Sequence, residues 1–256
     1  MMNEDISVYC RKLRLSRNFV NNSAVVEKSS PQEYLLEILR LECEYREKLK
    51  IERLIKTAGF YNRKRFSGFC FDEVKLPSDV TPAYLKEGRF IEEVKNLILY
   101  GNVGTGKTHL ATAIGIEACN RGMKVGFYRT ANLVNQLSDA KKAGTLNKLF
   151  NNLRKLDLLI CDEWGYVPMD RASAQILFQV ISDSYERRSL IITTNLEFSR
   201  WVSIFYDEQM TAAMIDRLVH HSYLLLFDGQ SNRVRDSLTP CVRIDVVCGC
   251  RQYKPL

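Results

Sequence analysis

The sequence has no long apolar run. Its longest stretches of consecutive apolar residues are four or five residues, Tyr223–Phe227 among them. That is far short of the roughly 20 that span a bilayer, so a membrane-spanning helix is excluded. Proline and glycine are sparse, 6 and 13 of 256 residues, which excludes a collagen-like chain. The composition, 46% hydrophobic and 26% charged, is that of a folded globular protein. The opening MMNEDISVYC carries acids where a secretory leader needs a basic patch and an apolar core; the expectation is a cytoplasmic chain with no membrane contact. The eight cysteines contain no CxxC pair and are read as reduced thiols. The densest group, Cys241, Cys248 and Cys250, offers three thiolates and no following histidine. It is read as small apolar residues rather than a zinc site. No internal repeat or low-complexity tract is present.

The charge that is there is unevenly placed. Residues 1–68 hold 14 basic and 9 acidic side chains, residues 69–236 hold 20 of each, and the last 20 residues hold three basic and one acidic. A neutral body behind a basic N-terminal module suggests an anionic partner, nucleic acid being the commonest. A solvated helix surface with surplus lysine accounts for the same count, and charge alone leaves both readings open.

The first 60 residues read as helices. Ile6, Cys10 and Leu13 share one face of a short first helix, and a second runs from about Asn18 to Glu27. Ser30-Pro31-Gln32-Glu33 forms a capping box with proline at the first helical position. Tyr34, Ile38, Leu41, Tyr45 and Leu49 then recur at helical steps, and Gly59 closes the helix. Its polar face carries Arg46, Lys48, Lys50, Arg53 and Lys56; Arg63-Lys64-Arg65 and an aromatic segment, Phe66, Phe69 and Phe71, read as a linker. From residue 96 strands alternate with helices: strands at Asn96–Tyr100, Lys124–Arg129, Leu156–Cys161, Leu190–Thr194 and Tyr223–Phe227, with helices between them. That alternation predicts an α/β fold, a parallel sheet covered on both faces.

Gly101-Asn102-Val103-Gly104-Thr105-Gly106-Lys107-Thr108 matches GxxxxGK[ST], a pattern that a chain of this length shows by chance roughly one time in a hundred. A buried strand ends just before it and a helix starts at Lys107, as a phosphate-binding loop requires. Glycines let backbone N–H groups converge on phosphates, and the helix N-terminus adds positive potential. Lys107 is placed to reach the β- and γ-phosphates of ATP, and the Thr108 hydroxyl to bind Mg²⁺. Asp162 and Glu163 end an apolar strand, where a carboxylate faces the ligand crevice of a parallel sheet; Asp162 would orient the Mg²⁺ shell and Glu163 polarise the attacking water. Asn195 ends another strand and would hold that water or the γ-phosphate, provided its strand lies between the other two. Arg217, on a helix of otherwise apolar spacing, is read either as a finger projecting onto a neighbouring subunit's γ-phosphate or as half of a surface Asp216–Arg217 pair. Arg233 and Arg235 are weaker nucleotide candidates. His109, directly after the loop, is counted with the nucleotide-binding segment in a structural role, and His220 and His221 as a helix-end pair.

GNVGTGKTHLATA, LLICDEWGYVPMDR, SLIITTN and AAMIDRLVHHS resemble the IstB-type transposition helper ATPases, which are similar to DnaC-type helicase loaders. The resemblance extends to about Asp236. It implies an AAA+ P-loop NTPase core with five parallel strands in the order 5-1-4-3-2, after a small all-helical N-terminal domain. By motif position, Lys107 and Thr108 are the Walker A pair, Asp162 and Glu163 Walker B, Asn195 sensor 1 and Arg217 the finger. It further implies a Mg²⁺-dependent ATPase that assembles as a homo-oligomer, with ATP at subunit interfaces, on double-stranded DNA largely regardless of sequence, and that recruits or stimulates the cognate transposase of an insertion sequence. The division expected is 1–68 helical, 69–236 ATPase and 237–256 a tail that matches no family ending. DNA contacts are expected at Arg46, Lys50, Arg53, Arg63, Lys64 and Arg65, with Lys141, Lys142, Lys148 and Lys155 secondary. Two alternatives stand beside this reading: a helicase loader, and a nucleotide-gated DNA scaffold with little turnover.

Overall fold

The computed structural model describes residues 2–28, 30–166, 169–205 and 207–231. Arg233, Arg235, the three clustered cysteines and the 237–256 tail lie outside the described residues.

Three helices come first: α1 (Met2–Lys12), α2 (Arg17–Ser23) and α3 (Pro31–Ala58). The third is bounded as the sequence predicts. The Ser30 hydroxyl accepts from the Glu33 amide at 3.2 Å, and Gly59 ends the helix at φ 82°. What ties α1 and α2 to α3 is a carboxylate. Glu42 is 2% exposed and accepts the Ser16 amide at 2.8 Å together with the Ser16 hydroxyl. It also pairs with Arg46 Nε at 2.7 Å, while the other arm of Arg46 donates to the Arg14 carbonyl. Burial alone would raise the Glu42 pKa; the two Ser16 hydrogen bonds and the guanidinium outweigh it and hold the carboxyl below its ordinary value. At its other end α3 leaves the surface: Leu54, Ile55 and Ala58 pack into the same apolar cluster as the central sheet.

The sheet contains β1 (Val74–Lys75), β2 (Asn96–Gly101), β3 (Val125–Arg129), β4 (Leu158–Trp164), β5 (Ser189–Thr194) and β6 (Ser222–Phe227), in the order β1-β6-β2-β5-β4-β3. The five long strands are parallel and, counted by themselves in chain order, run 5-1-4-3-2 as the resemblance implied. The sixth was not expected: β1 is two residues long, too short for any sequence pattern, and pairs antiparallel with β6 at the edge. This is the AAA+ P-loop arrangement.

Helices on both faces explain why the strands read as continuous apolar runs. Along β4, Leu158 and Ile160 face one cluster while Leu159 and Cys161 face the other. One face is covered by α6 (Lys107–Asn120), with α4 (Pro82–Glu87), α5 (Arg89–Glu92) and the end of α3. The opposite face is covered by α7 (Thr130–Lys142), α8 (Leu146–Leu153), α9 (Arg171–Ser184), α10 (Val202–Phe205) and α11 (Glu208–Val219). There Trp164, the last residue of β4, is fully buried with its ring 5.5 Å from Trp201 and 5.8 Å from Phe205. No helix among the described residues is long and apolar enough to cross a membrane.

Candidate nucleotide-binding site

The carboxyl ends of β2, β4 and β5 open into a cavity of ≈ 830 Å³, within the range of small-ligand sites. Its floor is the loop between β2 and α6. Gly104 and Gly106 take φ values of 83° and 98°, left-handed conformations that favour glycine. A Cβ on Gly104 would also stand 2.1 Å from Ser231 Oγ. The turn they make lifts Lys107 into the first turn of α6. Its ammonium folds back on the loop, 2.6 Å from the Gly101 carbonyl and 2.5 Å from that of Asn102. Thr105 closes the loop, buried, its hydroxyl donating to Asn102 O at 2.8 Å, while Val103 stands exposed at the rim.

Across the cavity, Asp162 is 2% exposed. Its Oδ1 accepts from Thr108 Oγ1 at 2.9 Å and from Thr193 Oγ1 at 2.5 Å, and its carbonyl accepts from Thr130 Oγ1 at 2.9 Å. The Thr193 hydroxyl in turn accepts the Glu163 amide at 3.0 Å. One hydroxyl therefore positions both acids. The Thr108 hydroxyl beside a buried carboxylate is an all-oxygen donor set of the kind Mg²⁺ takes.

Glu163 adopts a left-handed φ of 57°, and the β4–β5 register is irregular between Cys161 and Trp164. Asp162 keeps its place in the sheet opposite Arg129 of β3, and the break at Glu163 returns Trp164 to the core face that Leu159 and Cys161 share. The Glu163 carboxylate lies 3.6 Å from Arg129 Nε at the end of β3, with both side chains about half exposed. The Arg129 guanidinium sits 4.6 Å from the centre of the Tyr61 ring, and the Tyr61 hydroxyl accepts from Asn132 Nδ2 at 2.9 Å.

Of the residues expected at the site, Lys107, Thr108, Asp162, Glu163 and Asn195 all line this one cavity. β5 does lie between β2 and β4, the placement the Asn195 role requires. His109 is held by its own surroundings, with Nε2 2.9 Å from the Arg65 carbonyl and its ring against Phe69. Arg217 is elsewhere on α11: it donates to Ala213 O at 2.9 Å and lies 5.0 Å from the Phe178 ring centre. The cavity of its own subunit does not include it.

The residues expected to contact DNA fall into separate groups. Lys50, Arg53, Arg63, Lys64, Arg65, Lys141 and Lys142 are exposed. Lys64 lines the cavity mouth, and Arg46 is engaged by Glu42. The sequence reading overlooked Thr193, Thr130, Arg129 and Tyr61. Arg129 stood at the end of a parallel strand, the same signal that singled out Asp162 and Asn195. The segment read as a linker also lines the site, through Lys64, Gly68, Phe69 and Cys70, and Asp72 and Glu73 just after it continue that wall.

A family model described as IstB-like ATP binding protein matches residues 13–239. A Geobacillus stearothermophilus protein named for insertion sequence IS5376 and for ATP binding is 37% identical over 240 residues, covering 92% of this chain and 96% of its own length. A protein of Bacillus thuringiensis subsp. berliner, named likewise for insertion sequence IS232, is 35% identical over 204 residues, 80% of this chain and 82% of that one. Among solved structures, DnaI superposes with a TM-score of 0.56 at 20% identity, over 71% of this chain and 100% of its own. The DnaC helicase loader gives 0.51 at 22% identity, over 65% and 97%. At those identities the two structures speak for the fold alone. A match spanning nearly the whole chain, over the loop and acids that build the cavity, leaves one assignment: the chain belongs to the IstB-like ATP binding protein family.

Proposed function

We propose that the chain is a Mg²⁺-dependent ATPase that assembles on double-stranded DNA and recruits or stimulates the transposase of an insertion sequence. The observation that carries the ATPase reading is the convergence of Lys107, Thr108, Asp162 and Glu163 on one cavity. Lys107 would leave the loop carbonyls for the β- and γ-phosphates. Thr108 and Asp162 would hold Mg²⁺, which supplies charge neutralisation on the phosphates. Glu163, its carboxylate half exposed beside Arg129, would polarise water, with Asn195 holding it. Arg217, outside its own subunit's cavity, would serve a neighbour's. Residues 1–68 would form the DNA- or partner-facing unit, 69–236 the motor, and the cytoplasm would be its compartment. The insertion-sequence role rests on relatives that match at 35–37% identity and are named for such elements. The loader reading has only a fold likeness behind it.

The test is a pair of variants. Lys107→Ala should abolish tight ATP binding, because the phosphates lose their charge partner. Glu163→Gln should bind ATP and hydrolyse it slowly, trapping the DNA-bound assembly. Equal loss of nucleotide binding in both would remove Glu163 from its assigned role.

A further inference from the structure

At the other end of the sheet, where β5 and β6 begin, two connections meet. The turn leaving α9 carries Tyr185 and Glu186, and the turn from α11 into β6 carries His220 and His221. The ligand-capable atoms of Glu186, His220 and His221 all lie within 4.8 Å of one another. His221 Nε2 is already 3.4 Å from Glu186 Oε1, with those side chains 42% and 60% exposed. The two imidazole rings stand 4.2 Å apart. Outside this triad, Tyr185 Oη sits 2.9 Å from His220 Nδ1, the kind of outer partner that fixes the orientation of a metal-binding imidazole.

We infer that Glu186, His220 and His221 form a binding site for one borderline divalent transition cation of the zinc class. Two imidazoles and one carboxylate are the donor set such ions prefer over Mg²⁺ or Ca²⁺, which take oxygen. Bonds of about 2.0–2.2 Å to a tetrahedral ion ask only that three exposed side chains swing inward. Three protein ligands leave one coordination position to solvent. Without an ion, the same triad is a solvent-screened surface His–Glu contact that holds little, so the cation is what would make it a clasp. The clasp would join the end of α9 to the end of α11. His221 stands four residues beyond Arg217, and the Arg217 guanidinium itself lies over Phe178 of α9. The ion would thus pin the helix that carries Arg217. The inference stands apart from the ATPase reading, since no nucleotide is involved.

The experiment is a Co²⁺ titration of the full chain without nucleotide or Mg²⁺, followed by visible absorption. The expected result is one equivalent bound, with the weak visible bands of nitrogen and oxygen ligands, no intense near-ultraviolet thiolate band, and displacement by Zn²⁺. Glu186→Gln, which preserves shape, should weaken that binding by at least ~10-fold, and His220→Ala with His221→Ala should abolish it. Zn²⁺ should raise the unfolding temperature of the unaltered chain and leave that of the double variant unchanged. Three outcomes would overturn the inference: no saturable binding, binding unchanged in these variants while they retain the far-ultraviolet dichroism of the fold, or a thiolate spectrum, which would move the metal to the cysteines.

Discussion

At the scale of single residues, the site is organised by hydroxyls as much as by acids. Thr193 holds Asp162 through Oδ1 and Glu163 through its amide, so Thr193→Val should misplace both acids. It should lower hydrolysis more than ATP binding, which rests on Lys107 and the loop; nucleotide titration beside phosphate release checks the split. Arg129 acts on Glu163 from the opposite side. Both partners are half exposed, so the ion pair is worth no more than ~1 kcal/mol. Arg129→Ala should release the carboxylate and raise DNA-free hydrolysis by at most ~5-fold without loss of ATP affinity. A fall in rate would mean that Arg129 positions Glu163 for the reaction rather than holding it away.

These two residues also show what a linear sequence carries. The loop 101–108 and the pair Asp162-Glu163 are contiguous patterns with known chemistry, so they were legible. The roles of Thr193, Arg129 and Tyr61 depend on which strands are neighbours and on where the chain after α3 crosses, and neither is written in local spacing. Arg46 shows the same limit. Its pairing with Glu42, one turn earlier on α3, depends on Ser16, the residue ahead of α2, which holds that carboxylate, and local spacing does not announce it.

At the scale of elements, the N-terminal helices hang on the Glu42 carboxylate. Its folded pKa is lowered, so the stability it contributes is fully present above the ordinary carboxylate range and is lost as pH falls through the depressed folded value. The protection factors of the α2 amides, which take out the slowing of intrinsic exchange in acid, should therefore fall on acidification through and below that range. Ser16→Ala removes a hydrogen bond to a charged group and should cost ~1.5–3 kcal/mol at neutral pH, read as loosened protection of residues 14–23; unchanged protection would deny Glu42 its anchoring role.

The elements the sequence hid were the short ones. α4 and α5 have six and four residues, too few for periodicity to register. Yet α4 carries its own punctuation: Thr81 caps it by accepting the Tyr84 amide at 3.1 Å, Pro82 follows, and Gly88 ends it at φ 66°. The aromatic segment 66–71 looked like a linker because it is polar on both sides. In the fold Phe66 stacks on Phe71, and Phe69 meets both Phe71 and His109 edge-on, beside the loop. The apolar run stops at Cys161, but β4 runs to Trp164: Asp162 stays paired opposite Arg129, and the irregularity at Glu163 brings Trp164 back to the core without ending the strand.

At the scale of the whole molecule, the role proposed for Arg217 needs a second subunit. Arg217 is directed at Phe178 and Ala213 of its own chain and is absent from its own cavity. If it completes a neighbour's site, Arg217→Ala should leave ATP binding nearly intact and lower hydrolysis by roughly 10³-fold or more. Mixing it with Lys107→Ala should restore activity, since each protein supplies what the other lacks at one interface. DNA affinity should fall steeply with salt, because exposed Arg53, Arg63 and Lys64 offer charge without a base-reading element. Neutralising those three should flatten log K against log[salt] by about 0.9 for each phosphate left without its cation; an unchanged slope would move the DNA surface to the core.

The most direct test of the central claim is steady-state phosphate release per subunit, measured across protein concentration with and without double-stranded DNA of arbitrary sequence. The expected rate climbs with concentration, climbs further with DNA, and is strongly lowered by Glu163→Gln under both conditions. A rate per subunit that is the same at every concentration and indifferent to DNA would contradict it.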